Sequence, residues 1–152
     1  MSKITLPNQE FPTTSNQQVD LNQLSGKNFV IYFYPKDSTP GCTTEGQNFR
    51  DNFDHFSELN TLIYGVSRDS IKSHENFKSK QQFPFDLISD PDEILCKAFD
   101  VIKEKNMYGR KYMGIERSTF LFDQKGVLVQ SWRKVKVKGH VDEVLEMVKS
   151  IN

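Results

Sequence analysis

Two apolar runs constrain the fold more than any other feature of the chain: Asn28–Tyr34 (Asn-Phe-Val-Ile-Tyr-Phe-Tyr) and Thr61–Ser67 (Thr-Leu-Ile-Tyr-Gly-Val-Ser). Neither shows the regular polar–apolar alternation of a half-exposed strand, so each reads as a strand buried on both faces. Between them, from Thr43 to about Leu59, Phe49, Phe53 and Phe56 recur at helical spacing with acids scattered opposite. Strand, helix and buried strand in succession predict parallel strands joined by a crossover helix.

The later segments extend this layout. Asp69 or Ser70 is placed to cap a helix running through Phe77 to about Lys80. Ser89-Asp-Pro-Asp-Glu93 combines a cap residue, a proline suited to the first helical position and first-turn acids, ahead of Ile94, Leu95, Ala98 and Phe99. From about Lys103 to Gly114 the chain is polar, glycine-punctuated and aperiodic, which predicts a long loop. Ser118–Asp123 and Val127–Lys134 flank Gln124-Lys-Gly126 as a hairpin. The basic stretch Arg133–Lys138 alternates with valines and reads as the wet face of a strand. Val141, Val144, Leu145 and Val148 form one stripe of a final helix over about His140–Ser150. The expected class is α/β, a central mixed sheet flanked by helices, in one domain spanning residues 1–152.

Composition excludes several classes of function. Twenty Lys and Arg balance twenty Asp and Glu, leaving no net charge to attract nucleic acid or anionic membranes. There is no apolar window of membrane-spanning length, and Met1-Ser-Lys-Ile-Thr5 lacks a signal-peptide core. Two cysteines are too few for a secreted disulfide scaffold, so a cytoplasmic location with free thiols is the expectation.

One of those cysteines lies in a distinctive loop. Cys42 follows the first buried run through Pro35-Lys-Asp-Ser-Thr-Pro-Gly41, with a helix expected to start at Thr43. Pro35 fixes the backbone entering the loop, and Pro40-Gly41 turns it ahead of the sulfur. A helix N-terminus favours the thiolate, whereas an unperturbed thiol is only roughly 3% ionised at pH 7. Thr39, three residues before Cys42, has a hydroxyl that a tight turn can bring beside the sulfur. Arg117, at the start of a predicted strand, carries a permanent charge able to hold a thiolate or a leaving oxygen. Cys96 lies in the apolar string Ile94-Leu-Cys, a packing position. His55, His74 and His140 lack metal-site spacing and read as surface or capping residues.

Pro35, Thr39 and Cys42 reproduce the Pro-x-x-x-Thr-x-x-Cys signature of the peroxiredoxins, and Arg117 matches the arginine that family brings to its cysteine. The longer strings Phe33–Glu45 and Met107–Phe120 resemble the bacterioferritin comigratory protein subgroup, the Q-type peroxiredoxins, and the similarity covers nearly the whole chain. The resemblance implies a thioredoxin-like fold and reduction of hydrogen peroxide or organic hydroperoxides, without metal or cofactor. By the same resemblance Cys42 is the peroxidatic cysteine and becomes a sulfenic acid. Thr39 and Arg117 then align the peroxide oxygens, Pro35 shields the sulfur, and Glu45 orients Arg117 or the loop.

The chain also departs from that subgroup, many members of which place a resolving cysteine five residues after the first, where Gln47 stands here. Three routes back to the thiol remain: Cys96 as an intramolecular resolver, a partner thiol, or Cys42 of a second molecule. Joining Cys96 to Cys42 requires their Cα atoms within about 7 Å. A one-cysteine cycle is favoured, with thioredoxin, glutaredoxin or glutathione as reductant and a monomer as the default state. The competing classes are a one-cysteine redox sensor, which needs the same activated thiol, and a disulfide oxidoreductase, against which the lack of a Cys-x-x-Cys argues.

Overall fold

The computed structural model describes residues 4–152. After a short amino-terminal hairpin, β1 (Phe11–Thr13) and β2 (Gln17–Val19), comes the first long buried strand, β3 (Asn28–Phe33). Then follow α1 (Pro40–Asp51), α2 (Phe53–Glu58), β4 (Thr61–Ser67), α3 (Ile71–Gln81), β5 (Asp86–Ser89) and α4 (Ile94–Ala98). The chain closes with β6 (Ile102–Met107), β7 (Arg110–Ile115), β8 (Ser118–Phe122), β9 (Leu128–Trp132) and α5 (His140–Ser150).

Seven strands form one sheet in the order β2-β1-β5-β4-β3-β8-β9, while β6 and β7 pair separately. β3 runs parallel to β4, and β4 to β5, as crossover helices require. β8 returns antiparallel beside β3, and β9 pairs with it as the predicted hairpin. Because β3 is buried on both faces, its side chains divide two cores. Val30, Tyr32 and Tyr34 face the core shared with Cys42, Phe49, Phe56 and the stripe of α5. Phe29, Ile31 and Phe33 face the core shared with Cys96, Phe99 and Val101. This mixed sheet with helices on both faces is the expected class. Among the described residues no helix is long and apolar enough to cross a membrane.

Several expectations need correction. The helix carrying Cys42 begins at Pro40, not Thr43, because a proline at the first helical position loses no hydrogen bond. It ends at Asp51, since Asn52 leaves helical geometry at φ −105°, ψ 6° and bonds its side chain to the Asn48 carbonyl; α2 is a separate turn. The predicted loop at Lys103–Gly114 is the β6–β7 hairpin, turning at Tyr108 and Gly109, both with positive φ. Its strands are largely exposed, so no burial pattern marks them. β9 stops at Trp132, and the basic stretch leaves the sheet: Arg133 instead donates to the Phe99 and Asp100 carbonyls and lies over the Phe120 ring. The helix after Asp90 is delayed to Ile94, although the Asp90 carboxylate still accepts the Cys96 backbone N–H at 2.8 Å.

Candidate active site

The first turn of α1 builds the site. Pro40 is the first helical residue and Cys42 the third, so the sulfur lies among the unpaired N–H groups of a helix N-terminus. Cys42, Glu45, Gly46 and Phe49 share the buried face at helical spacing, and Cys42 is only 2% exposed. Thr39 is the extended cap residue, its carbonyl accepting the Thr43 N–H at 2.9 Å. Its hydroxyl donates to the Lys36 carbonyl at 2.8 Å rather than to the sulfur. The oxygen lone pairs are left free to accept from a bound molecule. Pro35 is half-buried at the mouth of the loop.

Arg117 reaches this turn from across the sheet. Ser118 pairs with Phe33, so the residue before β8 emerges at the end of the sheet from which the Pro35 loop departs. Its Nη2 lies 3.3 Å from Cys42 Sγ, and its Nη1 donates to Glu45 Oε1 at 2.6 Å. Gly41 makes room for it, since a β-carbon there would sit 3.1 Å from Nη2. Burial lowers the proton affinity of this guanidinium, but the charges of Glu45 and Cys42 outweigh it and raise Arg117 above its ordinary range. Burial also raises Glu45, against the pull of Arg117, from 4.5 to about 7. Its second oxygen, Oε2, has no hydrogen-bond partner among the described residues, and neither does the buried hydroxyl of Tyr32. Burial, then the charges of Glu45 and Cys42, push that phenol far above its ordinary range. One guanidinium thus spans a sulfur and a carboxylate in a nearly dry setting, suited to stabilising negative charge on an atom held beside the sulfur.

The structure therefore brings Pro35, Thr39, Cys42, Glu45 and Arg117 to one end of the sheet and separates Cys96 from them. Cys96 is fully buried against the opposite sheet face, and burial beside Asp90 pushes its thiol far up. Both cysteines are free. Gln47 bonds Gln81 of α3 at 2.9 Å.

Some neighbours escaped the sequence reading. Tyr32 read only as strand core. Lys105 of β6, placed in a loop by its polar surroundings, feels burial and the Arg117 charge, which lower it. His74 and His140 are buried rather than superficial. His140 bonds the Thr119 hydroxyl at 2.7 Å, and burial together with Arg117 lowers it to about 4. No spacing rule would have paired residues so far apart in the chain. Beside the Cys42 turn, Pro40, Gly41, Thr44 and Asn48 line an open groove of about 580 Å³, closed on its other side by Val137, Lys138 and the start of α5.

The AhpC/TSA family model matches residues 3–131. Peroxiredoxin Bcp of Xanthomonas campestris pv. campestris is 60% identical over 133 residues, covering 88% of this chain and 83% of that one. Peroxiredoxin Bcp of Bacillus subtilis is 50% identical over 146 residues, covering 96% and 93%. A solved structure of the Xanthomonas campestris bacterioferritin comigratory protein, described for its alkyl peroxide reduction activity, superposes with a TM-score of 0.91 at 54% identity, covering 97% of this chain and 96% of that one. The chain belongs to the AhpC/TSA family and, within it, to the Bcp peroxiredoxins, which makes it a thiol-dependent peroxidase.

Proposed function

We propose that Cys42 is the nucleophile that reduces hydrogen peroxide and organic hydroperoxides. The observation carrying this reading is the 3.3 Å approach of Arg117 to the sulfur inside a buried helix N-terminus. The thiolate attacks one peroxide oxygen and the O–O bond breaks. Sulfur is oxidised to the sulfenic acid, and the other oxygen leaves with a proton as water or an alcohol. Arg117 stabilises the charge moving onto that oxygen, while Glu45 holds the guanidinium in place. Thr39 accepts a hydrogen bond from the peroxide hydroxyl, aligning it for displacement, and Pro35 narrows water access.

Recovery needs two equivalents of an external thiol. The first attacks the sulfenic sulfur and expels water, forming a mixed disulfide; the second releases Cys42 as a thiol. The placement of Cys96 across the sheet supports a cycle in which it takes no part. Thioredoxin, glutaredoxin or glutathione fits the role. A cytoplasmic location is the one we assign, supported by two free cysteines that a reducing compartment preserves, with a monomer as the default state.

The test is a peroxide-consumption assay supplied with a thiol. Cys42→Ser is expected to abolish turnover and Cys96→Ser to leave most of it. Continued turnover in Cys42→Ser would remove the assignment. Loss of cycling in Cys96→Ser, with a Cys42–Cys96 disulfide seen by mass spectrometry in the wild type, would replace the one-cysteine cycle with a two-cysteine one.

A further inference from the structure

Asp37 lies in the loop between Pro35 and Thr39, yet it is 6% exposed. Its carboxylate collects three hydrogen bonds. The Tyr34 hydroxyl donates to Oδ1 at 2.6 Å, while the Ser73 hydroxyl and His74 Nδ1 meet Oδ2 at 2.7 Å each. His74 is itself fully buried, and its Nε2 lies 2.9 Å from the Ile88 carbonyl. A carbonyl only accepts, so Nε2 carries a hydrogen, and a second proton lies between Nδ1 and Oδ2. The Asp37 backbone N–H donates to Asp69 Oδ2 at 2.9 Å, an oxygen also held by the Ser67 hydroxyl at 2.6 Å. One loop residue is thereby tied to the ends of β3, β4 and β5 and to α3.

The neighbouring backbone shows what this tether restrains. Ser38 sits at φ 62°, the left-handed region that a side chain disfavours, and Thr39 then opens α1. A strained residue persists only where its surroundings over-determine it. Asp37, Asp69 and His74 offer ligand atoms within 4.8 Å of one another. Both Asp37 oxygens, Asp69 Oδ2 and both His74 nitrogens are already engaged within the protein, so the grouping is a clamp and not a cation site.

We propose that Asp37 and His74 are positioning residues for the peroxide reaction. The buried pair clamps the Pro35–Thr39 loop and so sets the Thr39 hydroxyl and the first turn of α1 against Arg117. Neither residue bonds the sulfur or Arg117; both act through the loop. The inference rests on Cys42 being the nucleophile.

Two rates at Cys42 test it: oxidation by hydrogen peroxide and alkylation by iodoacetamide. Only the first needs Thr39 and Arg117 aligned on an O–O bond. Asp37→Ala and His74→Phe are expected to slow oxidation by about tenfold or more, since small misplacements of a reacting geometry are costly. Alkylation should change by less than about threefold. Asp37→Asn can still accept from Tyr34 and donate to a neutral His74, so its oxidation rate should stay within about threefold of wild type. Oxidation at the wild-type rate in His74→Phe, oxidation and alkylation falling in parallel, or an asparagine variant as slow as alanine would each overturn the proposal. If Asp37→Ala does not fold, His74→Phe and Asp37→Asn decide it. A wild-type Cys42 that peroxide does not oxidise would instead defeat the nucleophile assignment.

Discussion

Glu45→Gln gives a direct reading of the charge that holds Arg117. Glu45 is fully buried with one oxygen on Arg117 and the other without a partner among the described residues, and its carboxyl titrates at about 7 rather than 4.5. Between those two values the folded state binds more proton than the unfolded chain, so this group's contribution to stability falls as pH rises. The contribution is complete below 4.5 and lost above about 7. At about 1.4 kcal/mol for each tenfold difference in proton affinity, the full effect is on the order of 3 kcal/mol. Glutamine keeps a carbonyl oxygen for Arg117 and has nothing to titrate. Urea unfolding of both proteins at a series of pH values from 4.5 to 8 isolates the residue, because other acids titrate in both and cancel. The glutamine variant is expected to gain on the wild type across that range by the stated amount, most steeply between pH 5 and 7. A difference that stays flat, or that moves toward the wild type as pH rises, would refute an ionised and desolvated Glu45 beneath Arg117.

Two further substitutions probe the same helix and its counter-charge. Gly46→Ala should gain about 1 kcal/mol from helix propensity, but its β-carbon would lie 2.3 Å from Phe83 Cζ. That ring is pinned by stacking on Phe85 and an edge contact with Phe77. Overpacking of about 1–3 kcal/mol offsets that gain, for a net loss of up to about 2 kcal/mol in urea unfolding; a more stable variant would show that the ring yields. Arg117→Lys keeps a charge but cannot span the sulfur and Glu45 together, so peroxide oxidation of Cys42 should fall about 10–100-fold with the fold intact by circular dichroism. A change below about threefold would remove the two-pronged role.

Strong local signals carried much of this protein. The buried runs at β3 and β4 announced parallel strands because a strand covered on both faces has nowhere to put polar residues. The Pro35–Cys42 loop and Arg117 were readable for a related reason: proline, glycine and a fixed charge act over a few residues, and their family pattern is distinctive. The weaker elements were not legible. β1, β2 and β5 have only three or four residues, too few to establish a period. The β6–β7 hairpin is largely exposed, and its pairing leaves little trace in side-chain type.

The sequence by itself determined that a thiol sits at a helix start with a hydroxyl and a cation in the same chain. Tertiary structure decided which groups meet. Arg117 reaches Cys42 only because β8 folds back beside β3, and Cys96 is kept away only because alternate β3 side chains send the two cysteines to opposite cores. His74, which spacing assigned to the surface, becomes the buried partner of Asp37 once α3 packs over the end of the sheet. The physical reason is common to all three. Local patterns are set by φ/ψ preference and burial along a few residues, whereas contacts spanning 37 or 75 positions depend on strand order and register, which no single segment encodes.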